Sequence, residues 1–160
     1  MADPRVGIIM GSKNDWDTMK AAEEALGKLG IAADVRVISA HRTPERLMRF
    51  LADAEERGLE AIICGAGAAA HLAGVTAAHT TLPVLGVPID SSALQGMDAL
   101  LATVQMPGGI PVATFAIGKS GAKNAGLFAA AIIARKDPEV AKTLKEFREA
   151  QSAAVPERPY

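Results

Sequence analysis

A histidine and an arginine stand side by side in Ser39-Ala40-His41-Arg42-Thr43-Pro44. The residues before them, Val35-Arg36-Val37-Ile38, are short and β-branched and read as a strand. Thr43-Pro44 reads as a helix N-cap followed by proline at the first helical position. His41 and Arg42 then fall at the carboxyl end of a strand, where open α/β sheets bind their ligands. Histidine is the side chain whose unperturbed pKa lies closest to neutrality. A guanidinium beside it offers planar donors to phosphate or carboxylate. The pair points to proton transfer on an anionic substrate, with a solvated turn as the alternative for two such residues taken alone.

Gly11-Ser12-Lys13-Asn14-Asp15 links another strand to a helix, a place where backbone N–H groups and the helix dipole face an anion. Ser12 adds a hydroxyl donor. Asp15 suits ribose hydroxyls, because a carboxylate repels phosphate. The run is neither Gly-x-Gly-x-x-Gly nor a P-loop, which argues against a dinucleotide or a bound triphosphate. A plain capping turn remains open. Gly65-Ala66-Gly67 follows a third strand, with His71 and Gly74 on the helix expected after it, and small residues there let a ligand approach the backbone. His71 and His79 are eight residues apart, about 12 Å along a helix axis. One metal cannot span that gap, so no metal site is expected. His79 reads as a helix-end residue, and His71 as either structural or functional. Pro88, Ser91-Ser92 and the stretch 105–111 read first as rigid turns.

The elements that must position these residues alternate along the chain. Strands are expected at 6–10, 34–38, 61–64, 84–87 and 112–117, nearly all apolar on both faces, as in parallel strands covered by helices on each side. Helical patterns fall at 16–29, 44–57, 68–78, 94–105 and 122–135, the first two stopping at Gly30 and Gly58. The expected fold is a three-layer α/β/α domain with a doubly wound parallel sheet of about five strands. A C-terminal helix over 138–150 carries Val140, Leu144 and Phe147 as a narrow apolar stripe that needs a partner, either its own domain or a neighbouring subunit. Residues 152–160, with Pro156 and Pro159, read as a frayed tail.

At 160 residues the chain is one domain, residues 1–160, long enough to bury about 70% of its unfolded surface. A net charge of −1 gives no basic field for nucleic acid or an anionic membrane. The single cysteine, Cys64, excludes an internal disulfide, and its apolar neighbours predict a buried, inert thiol. No secretory signal or membrane-length apolar stretch is visible, so a soluble protein of a reducing compartment is expected.

Taken together and in order, the motifs identify a family. Gly11-Ser12-Lys13-x-Asp15-Trp16, Ser39-Ala40-His41-Arg42-Thr43-Pro44, Gly65-Ala66-Gly67-x-Ala69-Ala70-His71-Leu72, Leu82-Pro83-Val84-Leu85-Gly86-Val87-Pro88, Val104-Gln105-Met106-Pro107 and Gly118-Lys119-x-Gly121-Ala122-x-Asn124-Ala125 closely resemble the N5-carboxyaminoimidazole ribonucleotide mutases of purine biosynthesis, from about residue 6 to 151. The resemblance implies a cytoplasmic, flavodoxin-like mutase that needs no cofactor and moves a carboxylate from the exocyclic N5 to carbon 4 of an aminoimidazole ring. It implies His41 as proton shuttle, Ser12 and Arg42 on the phosphate and Asp15 on the ribose. Ser39, Gly67, Ala69, His71 and Leu72 complete the implied substrate site. It further implies a homo-octamer with active sites where subunits meet and the C-terminal helix on a neighbour. Two departures stand out: Asn14 where serine is usual and Ala73 where proline is usual. The nearest rival is a carboxylase that uses free carbon dioxide, whose members tend to carry lysine after the histidine where this chain has Arg42. A non-catalytic flavodoxin-like binding module is the rival from another class.

Overall fold

The computed structural model describes residues 3–160. Its strands are β1 (Val6–Met10), β2 (Ala33–Val37), β3 (Ala61–Gly67), β4 (Val84–Ile89) and β5 (Ala113–Thr114). Its helices are α1 (Trp16–Gly27), α2 (Pro44–Ala52), α3 (Leu72–Ala78), α4 (Met97–Val104), α5 (Lys119–Ile133) and α6 (Pro138–Ala153), with a 3-10 turn at Lys13–Asp15. Every strand pair is parallel, and the sheet order is β2-β1-β3-β4-β5. The chain therefore winds one way from β1 to β2, then reverses to lay down β3, β4 and β5. This is the flavodoxin-like order, and a crevice opens between the carboxyl ends of β1 and β3, where the direction changes.

Strand residues alternate between two apolar layers. Ile8, Met10, Ile63, Leu85 and Val87 face α1 and α5, while Ile9, Ile62, Cys64 and Val84 face α2 and α3. Small residues let the first layer close tightly. A Cβ on Gly126 of α5 would lie 2.7 Å from the Ala22 carbonyl of α1, so the two helix backbones approach as only glycine permits.

Several expected boundaries move, each for a local reason. The helix predicted to reach residue 57 ends at Ala52, and Arg57 instead crosses to Asp34 and Asp53, at 2.8 Å each. Gly58 does adopt a left-handed conformation, φ +87°, but in the turn beyond the helix. The strand expected at 112–117 shortens to two residues at the sheet edge. The helix expected from residue 94 starts at Met97, after Gln95 and Gly96 adopt φ +51° and +85°. Helix α5 starts three residues before its expected start.

The stripe on α6 finds its partner at home. Val140 is buried, and Leu144 and Phe147 pack on the same core layer as α5. Asp137 caps the helix, accepting from the N–H groups of Glu139 and Val140, and pairs with Arg5 across the chain. The chain's own core, the first of the two partners expected for this stripe, buries Val140 and covers part of Leu144 and Phe147. The helix runs to Ala153, so the tail is 154–160, and those residues are exposed. No described helix is long and apolar enough to cross a membrane.

Candidate active site

The crevice at the turn-back point is a cleft of about 190 Å³. Its walls are the loops that leave β1, β2, β3 and β4, and Ser12, Asp15, Ser39, His41, Arg42, Gly67, Ala69 and Leu72 all line it. Residues far apart in the chain therefore meet because each follows a strand whose carboxyl end opens here.

The β1 loop is held by a reciprocal cap. Ser12 Oγ accepts from the Asn14 N–H at 3.2 Å, and Asp15 Oδ2 accepts from the Ser12 N–H at 2.9 Å. Both the capping reading and a ligand role are compatible with this arrangement, since the Ser12 proton and Asp15 Oδ1 stay free of these bonds. Burial pushes the Asp15 carboxyl above its ordinary value, while the Ser12 N–H and the Arg42 charge draw it partly back. A raised acid disfavours the ionised folded state, so the penalty is full above the folded pKa and absent below the unfolded one. Asp15→Asn is accordingly expected to raise the thermal midpoint at neutral pH, because the amide carries no charge to desolvate and can still accept from the Ser12 N–H. Thermal melts of the variant and the wild type at neutral pH check this.

The β2 loop carries the histidine and arginine. Thr43 does precede Pro44 at the start of α2, but its hydroxyl does not cap that helix. It accepts from the Ser39 N–H at 2.9 Å and donates to the Ser39 carbonyl at 3.0 Å, closing the five-residue loop on itself. Arg42 Nη2 donates to the Gly11 carbonyl at 2.7 Å and Nε to Ser39 Oγ at 3.3 Å. The guanidinium thus braces the β2 loop against the β1 loop, and its other N–H groups remain available to a ligand.

The β3 loop supplies a second imidazole. His41 Nε2 and His71 Nδ1 are 2.8 Å apart, with the rings edge to face at 88°. One proton can lie between those two nitrogens, so one ring donates and the other accepts. Helix α3 does not begin at residue 68 as the pattern predicts. Ala68 takes φ +50°, which no helix accommodates, and His71 becomes the residue before the first turn. His71 does not line the cleft itself; it stands against His41. Ala73, at the second position of α3, is buried, and the helix forms without proline there. His79 is an exposed helix-end residue.

The chain is similar to known proteins along almost its whole length. The family model described as AIR carboxylase matches residues 5–154. The chain belongs to the AIR carboxylase family. N5-carboxyaminoimidazole ribonucleotide mutase of Pseudomonas aeruginosa is 56% identical over 154 residues, covering 96% of this chain and 94% of that protein. The mutase of Bacillus subtilis is 58% identical over 146 residues, covering 91% and 90%. The crystal structure of Treponema denticola PurE superposes with a TM-score of 0.83 at 29% identity, over 94% of this chain and 92% of that one.

Within the candidate site, two features escape the sequence. Gly65-Ala66-Gly67 is the end of β3, not a loop after it, and pairs residue by residue with Val87, Pro88 and Ile89 of β4. Its missing side chains make room for protein: a Cβ on Gly65 would lie 2.3 Å from Met19 Sδ, and one on Gly67 would lie 1.8 Å from Ser91 Oγ. Ser91 lines the cleft, although the sequence reads it first as part of a turn. The available signal was its place just past the carboxyl end of a strand. Cys64 is the inert thiol expected, its pKa pushed up to about 12 by burial. Among the described residues no three His, Cys, Asp or Glu side chains come together as a metal-ligand set.

Proposed function

We propose that this chain is an isomerase of purine biosynthesis that converts N5-carboxyaminoimidazole ribonucleotide to 4-carboxy-5-aminoimidazole ribonucleotide. The observation that carries the reading is the His41–His71 contact, set beside Arg42 at the sheet's turn-back point, in a chain 56–58% identical to proteins bearing the mutase name. Ser12 and the free N–H groups of Arg42 take the phosphate, and Asp15 takes the ribose hydroxyls. Ser39, Gly67, Ala69 and Leu72 shape the remaining wall, and His71 aligns His41.

The chemistry balances with one proton carrier. The N5–carboxyl bond breaks, its electrons stay on N5, and protonated His41 delivers a proton there, leaving neutral carbon dioxide. Carbon 4 attacks the carbon dioxide before it escapes, and the tetrahedral carbon then returns its proton to neutral His41 to restore aromaticity. His71 accepts from His41 when that ring is charged, which fixes the orientation of the donor. A confined cleft replaces an encounter with dilute carbon dioxide by an effectively intramolecular one.

Incubating the protein with the N5-carboxylated ribonucleotide, without ATP or bicarbonate, tests the reading. Formation of the carbon-4 carboxylate supports the mutase. Formation only from the uncarboxylated ribonucleotide plus bicarbonate supports the carboxylase instead.

The same reading places the protein in the cytoplasm, as a homo-octamer with sites at subunit boundaries. The surface suited to association is α4, where Met97, Leu101 and Val104 lie on one face at 46–52% exposure, next to Leu94 at 64%. Sedimentation should show an octamer, and Leu101→Glu should dissociate it; a full-length monomer with full activity would overturn this assembly.

A further inference from the structure

Of the two serines that follow β4, one is spent on the fold and one is not. Ser92 Oγ accepts from the Leu94 N–H at 3.2 Å, and its carbonyl accepts from the Gln95 N–H, so Ser92 builds the turn. Ser91 lines the cleft, and no hydrogen bond ties its hydroxyl to another described side chain. Its Oγ occupies the space that a Cβ on Gly67 would fill, 1.8 Å away. Glycine at position 67 thus admits this hydroxyl to the wall of the cleft.

Strand order says which end of the substrate meets it. The anchors assigned to phosphate and ribose leave β1 and β2, whereas Ser91 leaves β4, two strands beyond β1. Adjacent strands lie about 4.8 Å apart, which puts Ser91 roughly 10 Å from the β1 loop. A ribonucleotide held by its phosphate at one end extends its reacting ring toward the other. The other lining residues on the β3 side, Ala66, Gly67, Ala69 and Leu72, carry no polar side chain. Ser91 is the hydroxyl available there.

We propose that Ser91 holds the migrating carboxyl group, donating its hydroxyl proton to a carboxyl oxygen in substrate, trapped carbon dioxide and product. This rests on the mutase reading above. A neutral donor suits a group that alternates between carboxylate and uncharged carbon dioxide. A cation would stabilise the carboxylate selectively and so raise the barrier to its loss. The hydroxyl forms and breaks no covalent bond. Its effect is to keep carbon dioxide beside carbon 4 until the new bond forms.

The measurement is a partition ratio: uncarboxylated ribonucleotide released per carbon-4 carboxylate formed, corrected for a control without enzyme. Ser91→Ala is expected to raise this leak at least about fivefold and lower kcat, with KM changed less than about threefold. Gly67→Ala should produce the same leak by pushing the hydroxyl out of its space. The double variant should leak no more than Ser91→Ala alone, because both changes remove one contact. Thermal melts of Ser91→Ala should match the wild type. A Ser91→Ala enzyme that couples as tightly as the wild type overturns the assignment, and so does a slower enzyme with an unchanged partition. A wild-type enzyme that makes no carbon-4 product from the N5-carboxylated substrate overturns the mutase reading itself, which the wild-type control reveals before any variant is compared.

Discussion

His41→Asn is expected to lower kcat by about 10²-fold or more while leaving ribonucleotide affinity within about tenfold, because a positioned acid–base group contributes roughly 10²–10⁴ in rate. Asparagine is chosen because its amide can still hydrogen-bond toward His71 without carrying a proton to substrate. The loop that holds residue 41 should survive the change. Its closure comes from Thr43 on Ser39, and its brace comes from Arg42 on Gly11. A loss of rate then reports on proton transfer, not on a collapsed site. Single-turnover conversion and equilibrium binding of the carbon-4 product separate the two. Turnover near the wild-type rate would remove His41 as the shuttle and point to His71, 2.8 Å away, as the next group to test.

The two histidines also show what a sequence can and cannot reveal. Each was visible as a residue near the carboxyl end of a strand, and the strands were visible because β1, β3 and β4 are apolar on both faces. That the two rings touch was not visible. It depends on Ala68 taking φ +50°, and nothing in an alanine announces a left-handed backbone. The helix pattern over 68–78 was real, but the chain spends four residues turning before α3 begins, and that turn sets His71 against His41.

Local rules failed elsewhere where a specific side-chain contact outweighed them. Thr43 has the right type and place for a helix cap, yet its hydroxyl serves Ser39 four residues back. Arg57 continues a helical pattern, yet Asp34 on the edge strand captures it. There, burial would raise the Asp34 carboxyl, but hydrogen bonds from Arg36 and Arg57 outweigh it and hold the group below its ordinary value. The Gly-Ala-Gly run invites a ligand by its small size, but in three dimensions Met19 and Ser91 take the vacated space. Propensity and periodicity describe single elements, and each of these outcomes is decided by a particular side-chain contact, which for Arg57 and the glycines comes from another element.

Arg42→Lys is expected to raise KM for the phosphorylated substrate about tenfold or more, with a smaller effect on kcat. Lysine keeps the charge but presents a point donor where the guanidinium offers a planar fork. The structure makes the loss larger than charge geometry alone implies. Arg42 spends Nη2 on the Gly11 carbonyl and Nε on Ser39 Oγ, and still has N–H groups to offer a phosphate. A lysine ammonium has three donors on one atom and cannot hold both loops while facing the ligand. Two contributions follow, one from the phosphate contact and one from the joined loops, and an analogue lacking phosphate separates them. Its affinity should fall less than that of the substrate, because only the loop contribution remains. An equal loss for both ligands would mean that Arg42 serves the β1–β2 brace alone, and the phosphate would then have to be held by Ser12 and the backbone N–H groups of the first loop.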